Sequence, residues 1–308
     1  MNRSIYFAKV LKYAVLVLLV VFLWGSHNTD VQAAPTSGQC GDNVYWEYDD
    51  ATKTLTISGT GDIKYRAWFT YTESIEKIVV EDGITKIFYE AFSEHINVKQ
   101  IVLPDSLTEI EASAFSGCKS LESITIPQKI ERIYARTFSG CSALKTITLP
   151  QNLERIDYLA FSGCSSLEAI TIPNGVKQIG VSVFEDCSGL KYLEFPRSVE
   201  ELFFYYGFNS IEPMYNSGCT NLEKITILNP ECEIGSMGFG KDVIICGYEN
   251  STAQKYAEAQ GMELVVTTVK YIPYGWILTF VGVLALAGGW GVFHYRKVKK
   301  EKLVSNLE

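Results

Sequence analysis

Thiols are the side chains of this sequence with the most chemistry on offer. Cys118, Cys141, Cys164 and Cys187 return every 23 residues, while Cys40, Cys219, Cys232 and Cys246 stand outside that spacing. Eight cysteines in an exported chain suggest disulfides. The regular column argues otherwise. If each 23-residue unit is one coil of a parallel stack, neighbouring coils lie about 4.8 Å apart, a separation that does not exclude a disulfide. Side chains repeating in register nevertheless point inward in parallel, where cysteine behaves as a small buried hydrophobe. Free thiols are therefore expected in the column, and the state of the other four cysteines stays open.

Other catalytic chemistry finds little support. His95 is the one histidine between Ala34 and Ile272, so a histidine metal site or a Ser/Cys–His pair would rest on it alone. No C-x-x-C, H-E-x-x-H, G-x-S-x-G or P-loop occurs, and no cofactor or metal is expected. Paired carboxylates could serve glycoside hydrolysis, but Asp49-Asp50 and Glu81-Asp82 read as turn and surface residues. The expectation is a protein that binds and does not catalyse.

The elements that position these residues are written in the repeat itself. LESITIPQKIERIYARTFSGCSA is followed at once by LKTITLPQNLERIDYLAFSGCSS, and Leu121, Leu144, Leu167 and Leu190 form a second column with the cysteine spacing. Fixed short-period self-similarity means a solenoid. Ile124 and Ile126 straddle Thr125, the period-2 signature of a short strand with one buried face. Pro127 stops that strand, Ile130 and Ile133 return along the opposite side, Phe138 drops a plug into the coil, and Ser139-Gly140-Cys141 turns the corner. One coil cannot bury its own inward face. The next coil must cover it, at roughly 1.5–3 kcal/mol for each fully buried Leu, Ile or Phe.

The pattern L-x-x-I-x-I-P-x-x-[VLI]-x-x-I-x-x-x-x-F-x-x-C resembles the 23-residue leucine-rich repeat of the BspA-like bacterial surface proteins, over roughly Ser74 to Asn221. The resemblance implies a right-handed leucine-rich-repeat solenoid, β-rich, with short parallel strands and short helical or 3-10 turns. It also implies adhesion to host matrix or neighbouring cells, an analogy of fold and not an argument from a site.

The flanks divide the chain further. Residues 1–33 carry Arg3, Lys9 and Lys12 before an apolar run and read as a signal peptide, either cleaved after Ala33 or kept as an anchor. Residues 34–73 read as an N-terminal β-hairpin cap, with Trp46 and Trp68 either covering the first coil or forming a carbohydrate site. The repeats occupy 74–249, and 250–270 form a C-terminal cap in which Ser251 N-caps a short helix, Gln254 completes its capping box and Gly261 stops it. Residues 271–295 lack Asp, Glu, Lys and Arg and are long enough for one transmembrane helix, and the basic tail 296–308 then lies in the cytoplasm.

Two stretches offer themselves for contact. Thr125, Thr148, Thr171 and Glu194 are expected in an outward column on the strand face, either a solvated sheet or a shallow binding surface. After Leu190 the next leucine in phase is Leu222, so nine residues have been inserted. The inserted stretch holds Phe203, Phe204, Tyr205, Tyr206, Phe208 and Tyr215, either as a recognition element or as local repacking.

The net charge of −8 understates the exposed part. Setting aside three basic residues and one acidic residue in the leader, and five basic and two acidic residues in the tail, leaves 19 Lys/Arg against 32 Asp/Glu between Ala34 and Ile272. That balance argues against nucleic acid or anionic lipid as a partner. Partners are expected to be an extracellular protein or glycan. An envelope role, docking onto the cell's own wall or a membrane partner, is the alternative, and the oligomeric state stays open.

Overall fold

The computed structural model describes residues 36–204, 217–235, 238–267 and 295–297. The expected signal peptide, residues 1–33, and residues 271–294 of the expected span lie outside these. Among the described residues no helix is long and apolar enough to cross a membrane.

The chain opens with strands β1 (Ser37–Gly41), β2 (Val44–Asp49) and β3 (Thr54–Gly59), then a short β4 (Gly61–Asp62). Each following coil contributes a first strand and a return strand: β5 (Lys77–Val80) and β6 (Ile84–Ile87), β7 (Gln100–Val102) and β8 (Glu109–Ile110), β9 (Ser123–Thr125) and β10 (Arg132–Ile133), β11 (Thr146–Thr148) and β12 (Arg155–Ile156). The next coil has only a return strand, β13 (Gln178–Gly180). Then come β14 (Tyr192–Phe195) with β15 (Glu201–Phe204), and β16 (Lys224–Ile227) with β17 (Glu233–Ile234). The end is built from β18 (Ile244–Tyr248), the helix α1 (Thr252–Gln260), β19 (Leu264–Thr267) and β20 (Tyr295–Lys297).

First strands and return strands form separate sheets. β1-β2-β3-β5-β7-β9-β11 make one sheet and β14-β16-β18-β19-β20 continue on the same strand set. β4-β6-β8 and β10-β12-β13-β15-β17 make the return side. Register follows the repeat, with Ile147 opposite Ile124 and Ile156 opposite Ile133. The solenoid also begins earlier than residue 74: β3 is parallel to β5 with Leu55 opposite Ile78. The second strand of the cap hairpin is thus already the first rung of the stack. Trp46, Tyr48 and Trp68 are buried, and Tyr48 stacks on Tyr71 at 4.3 Å. The two tryptophans cover the first coil and are not available as a sugar platform.

Pro127 and Pro150 follow their first strands into a tight turn, Ile130 N–H donating to the Pro127 carbonyl at 3.2 Å and Leu153 N–H to the Pro150 carbonyl at 3.2 Å. The corner glycines Gly117, Gly140 and Gly163 take φ of 74°, 75° and 75°. Their N–H groups donate to Ser139, Ser162 and Glu185 of the next coil at 2.7 Å each. Left-handed backbone is what aims these amides along the axis. At the far end, the Ser251 side chain accepts from Gln254 N–H, Gln254 Oε1 accepts from Asn250 N–H at 2.8 Å, and Gly261 has φ 69°. This capping matches the sequence reading.

β20 runs antiparallel to β19. A chain that crossed a membrane between 271 and 295 would carry Arg296 and Lys297 away from β19, so this pairing and the expected single pass exclude one another.

The core is one continuous cluster from Cys40 to Met262. Along it Trp68, Phe92, Phe115, Phe138, Phe161 and Phe184 stack ring on ring, with centroid separations of 5.3, 5.8, 5.5, 5.7 and 6.0 Å. Phe138 sits in the middle with both faces covered. Phe138→Ala is expected to cost about 3–5 kcal/mol by opening a cavity and breaking two ring contacts. Chemical denaturation of wild type and variant measures it.

Candidate functional site

The chemistry of the thiols is closed off by their packing. All eight cysteines are free, and Cys118, Cys141, Cys164 and Cys187 are fully buried. Each thiol of the column donates to a phenylalanine carbonyl one coil back: Cys118 to Phe92, Cys141 to Phe115 and Cys164 to Phe138 at 3.2 Å each, and Cys187 to Phe161 at 3.0 Å. Cys219 donates to Phe184 at 2.9 Å and so prolongs the column across the insertion. Burial pushes the Cys118 and Cys164 thiols up to about 12 and raises Cys141 and Cys187 well above the usual thiol range. None is a nucleophile at neutral pH.

His95 stands 23 residues before Cys118 and takes the first place in the same column. It is fully buried, with Nδ1 at 3.1 Å from the Ser93 carbonyl. Burial, helped by the Arg66 charge, holds its pKa down to about 4. It is a core residue. Among the described residues no group of three His, Cys, Asp or Glu side chains could hold a metal ion.

The expected outward column is partly assembled. Thr125 on β9 and Thr148 on β11 are exposed and directly opposed, with Val102 on β7 exposed beside them. Thr171 is also exposed, but its coil makes no first-strand ladder, so the face is divided there. Glu194 on β14 is exposed and belongs to the second sheet, opposite Thr226, which is buried at 9% exposure. Ion pairs one coil apart edge the face: Glu76–Lys99 at 2.6 Å, Glu122–Lys145 at 3.0 Å and Glu168–Lys191 at 3.8 Å. Such solvated pairs contribute little stability each. They keep the rim polar and electrically balanced.

Phe203 is in the core at 2% exposure, edge-on to Phe195 and Phe239 at 5.6 Å each. It repacks the interior after the insertion and does not face a partner. Phe204 lies on β15. Tyr205, Tyr206, Phe208 and Tyr215 fall outside the described residues.

The return side holds a cluster that pattern reading did not find. Asp157, its side chain 7% exposed, receives Arg132 Nη2 and Arg155 Nε at 2.7 Å each. Arg132 lies over the Tyr134 ring at 4.5 Å, and Tyr134 donates its hydroxyl to Glu109 at 3.1 Å. Arg136 lies over Tyr158 at 5.1 Å. The Arg132–Asp157, Tyr134–Glu109 and Arg136–Tyr158 contacts cross from coil to coil and stiffen the return sheet.

Between the two sheets, just beyond the proline turns, runs a polar groove of about 470 Å³ lined by Glu131, Gln151, Asn152, Glu154, Asn174, Gly175, Lys177, Ser198 and Glu200. Glu131, Glu154, Lys177 and Glu200 share one repeat position in four successive coils. That spacing is the sequence signal from which the groove could have been found.

Residues 62–191 match the BspA type leucine rich repeat region in six copies. Among solved structures, a leucine-rich repeat protein from Bacteroides ovatus is 28% identical with a TM-score of 0.45, over 68% of this chain and 55% of that one. The chain thus spans little more than half that protein's length. The leucine rich repeat protein of T. pallidum is 19% identical with a TM-score of 0.37, over 71% of this chain and 94% of that one. A leucine rich cell surface protein from Faecalibacterium prausnitzii is 16% identical with a TM-score of 0.31, over 80% of this chain and 98% of that one. No protein of curated function matches.

The depressed pKa of His95 fixes a direction for acid stability. The unfolded chain takes up a proton near pH 6.5, whereas the folded chain resists until about pH 4. Stability is full above the unfolded value and falls as pH drops through that window, by at most about 3 kcal/mol. His95→Cys, which installs the residue found at this position in the next four coils, is expected to remove that slope. Urea midpoints of both proteins from pH 7 to 4 decide it, and parallel slopes would contradict the assignment.

Proposed function

We propose that this chain, whose repeats are of the BspA leucine-rich-repeat type, is a non-catalytic recognition protein of a bacterial cell surface. It binds an extracellular protein or glycan, and adhesion to host matrix or neighbouring cells is its physiological use. The observation that carries this reading is the exposed, opposed pair Thr125 and Thr148 beside Val102, held on a rigid stack whose thiols and histidine are sealed inside. A broad preformed face suits reversible binding, because little ordering is needed when the partner docks. Export through residues 1–33 is part of the proposal, on the basic residues and the apolar run of that stretch.

The test is full-length protein and a Thr125→Arg/Thr148→Arg variant, matched for thermal midpoint, on arrays of matrix proteins, glycans and cell-wall fragments. The expected result is an extracellular ligand whose binding falls at least about tenfold in the variant, as at a contact patch that excludes water. Binding confined to the producer's own wall fragments would favour the envelope role. No binding to any array would remove the support for adhesion.

A further inference from the structure

The polar groove has the character of a ligand site of its own. It follows the edge where the turns after Pro127, Pro150, Pro173 and Pro196 lead into the return strands, and it crosses four coils, which at about 4.8 Å per coil gives a run of roughly 14 Å between the outer two. Its floor is lowered at Gly175, where a Cβ would come within 2.9 Å of the Leu153 carbonyl and 3.0 Å of the Gln151 carbonyl.

Its lining offers acceptors along its length and donors at its centre. Lys177 Nζ is shared with Glu154 at 3.2 Å. Asn152 Nδ2 donates to the Gln128 carbonyl at 3.2 Å, leaving its Oδ1 as an acceptor. Ser198 Oγ donates to the Val176 carbonyl at 2.7 Å and likewise keeps an acceptor. The side-chain amides of Gln151 and Asn174 are exposed and make no hydrogen bond to another described residue, so each presents both a donor and an acceptor. Glu131 and Glu200 add exposed carboxylates at the two ends.

This lining selects a ligand by chemistry. An anionic sugar or phosphate would meet Glu131, Glu154 and Glu200. A cationic peptide would suit the carboxylates but set its charge against Lys177 and leave the amide N–H groups unmatched. A chain of neutral hydroxyls can donate to the carboxylates and to the acceptors kept by Asn152 and Ser198, and can both donate and accept at Gln151 and Asn174. Resting on the recognition reading above, we propose that the groove is a subsite for an uncharged oligosaccharide, with Gln151 and Asn174 as its central contacts. No aromatic ring lines the groove, so binding lacks ring stacking and is weak for a single copy. Several copies on one surface would strengthen it by avidity.

Full-length protein is titrated with cellotetraose and chitotetraose, with a galacturonic acid trimer and tetralysine as charged probes, using saturation-transfer NMR. The same series is run on Gln151→Ala/Asn174→Ala and on Thr125→Ala/Thr148→Ala, each checked for an unchanged thermal midpoint. The expected result is binding of at least one neutral tetrasaccharide, weakened about tenfold or more in the groove variant, as loss of two polar contacts implies, and unchanged in the threonine variant. Absence of neutral-sugar binding, equal binding by the groove variant, or preference for tetralysine would overturn the proposal. If a macromolecular ligand is still captured through the threonine face, the recognition reading survives that failure. If nothing is captured by either surface, both fall.

Discussion

Coil-to-coil packing of identical side chains is the constraint on which everything else rests. A 23-residue coil with Leu, Ile and Phe on its inner side exposes half of that surface until a neighbour covers it. The phenylalanine rings do this by stacking at close to the coil spacing, from Trp68 to Phe184. Beside them each thiol satisfies a phenylalanine carbonyl of the previous coil, where an unmade hydrogen bond would cost more than the made one contributes. Cysteine suits that place because it is small, apolar and still able to donate. The cysteine column is therefore a device of packing, and its resistance to ionisation follows from the same burial.

A stack held in this way has consequences for its exterior. Outward residues inherit the regularity of the core, so a face, a row of ion pairs and a groove each repeat from coil to coil without further design. Departures from regularity become informative. The Thr171 coil lacks a first strand, the insertion after Phe204 shifts the next coil, and Phe203 turns inward to fill the space that results. The first-strand face is consequently built from segments on either side of Thr171, while the return sheet continues through that coil.

Much of the fold could be read from spacing because buried positions repeat in residue type. Ile124, Phe138 and Cys141 announce their roles four or more times over. His95 occupies a cysteine place but was disguised by its chemistry, and Cys219 was hidden by the nine inserted residues that break the count. The register of β3 was masked because Leu55 and Ile57 repeat the strand pattern without the proline that follows in later coils, and because Trp68, not the in-phase Phe69, fills the plug. The groove was legible in the 23-residue spacing of Glu131, Glu154, Lys177 and Glu200, whereas the arginine–tyrosine cluster was not. A long side chain such as Arg132 meets Asp157 of the next coil only after coil rotation has set which neighbour it reaches, and no period encodes that rotation.

The most direct test of this account is the rate at which the column thiols react. In the native full-length protein, without reductant, Cys118, Cys141, Cys164 and Cys187 are labelled with a maleimide and located by mass spectrometry over time and urea concentration. A single cooperative stack predicts that all four are protected together, react at one common rate set by unfolding, and are fully available once unfolded. Prompt labelling of any one of them in the absence of denaturant, or a column cysteine that stays blocked after unfolding because it is disulfide-bonded, would contradict the packing on which the rest of the structure depends.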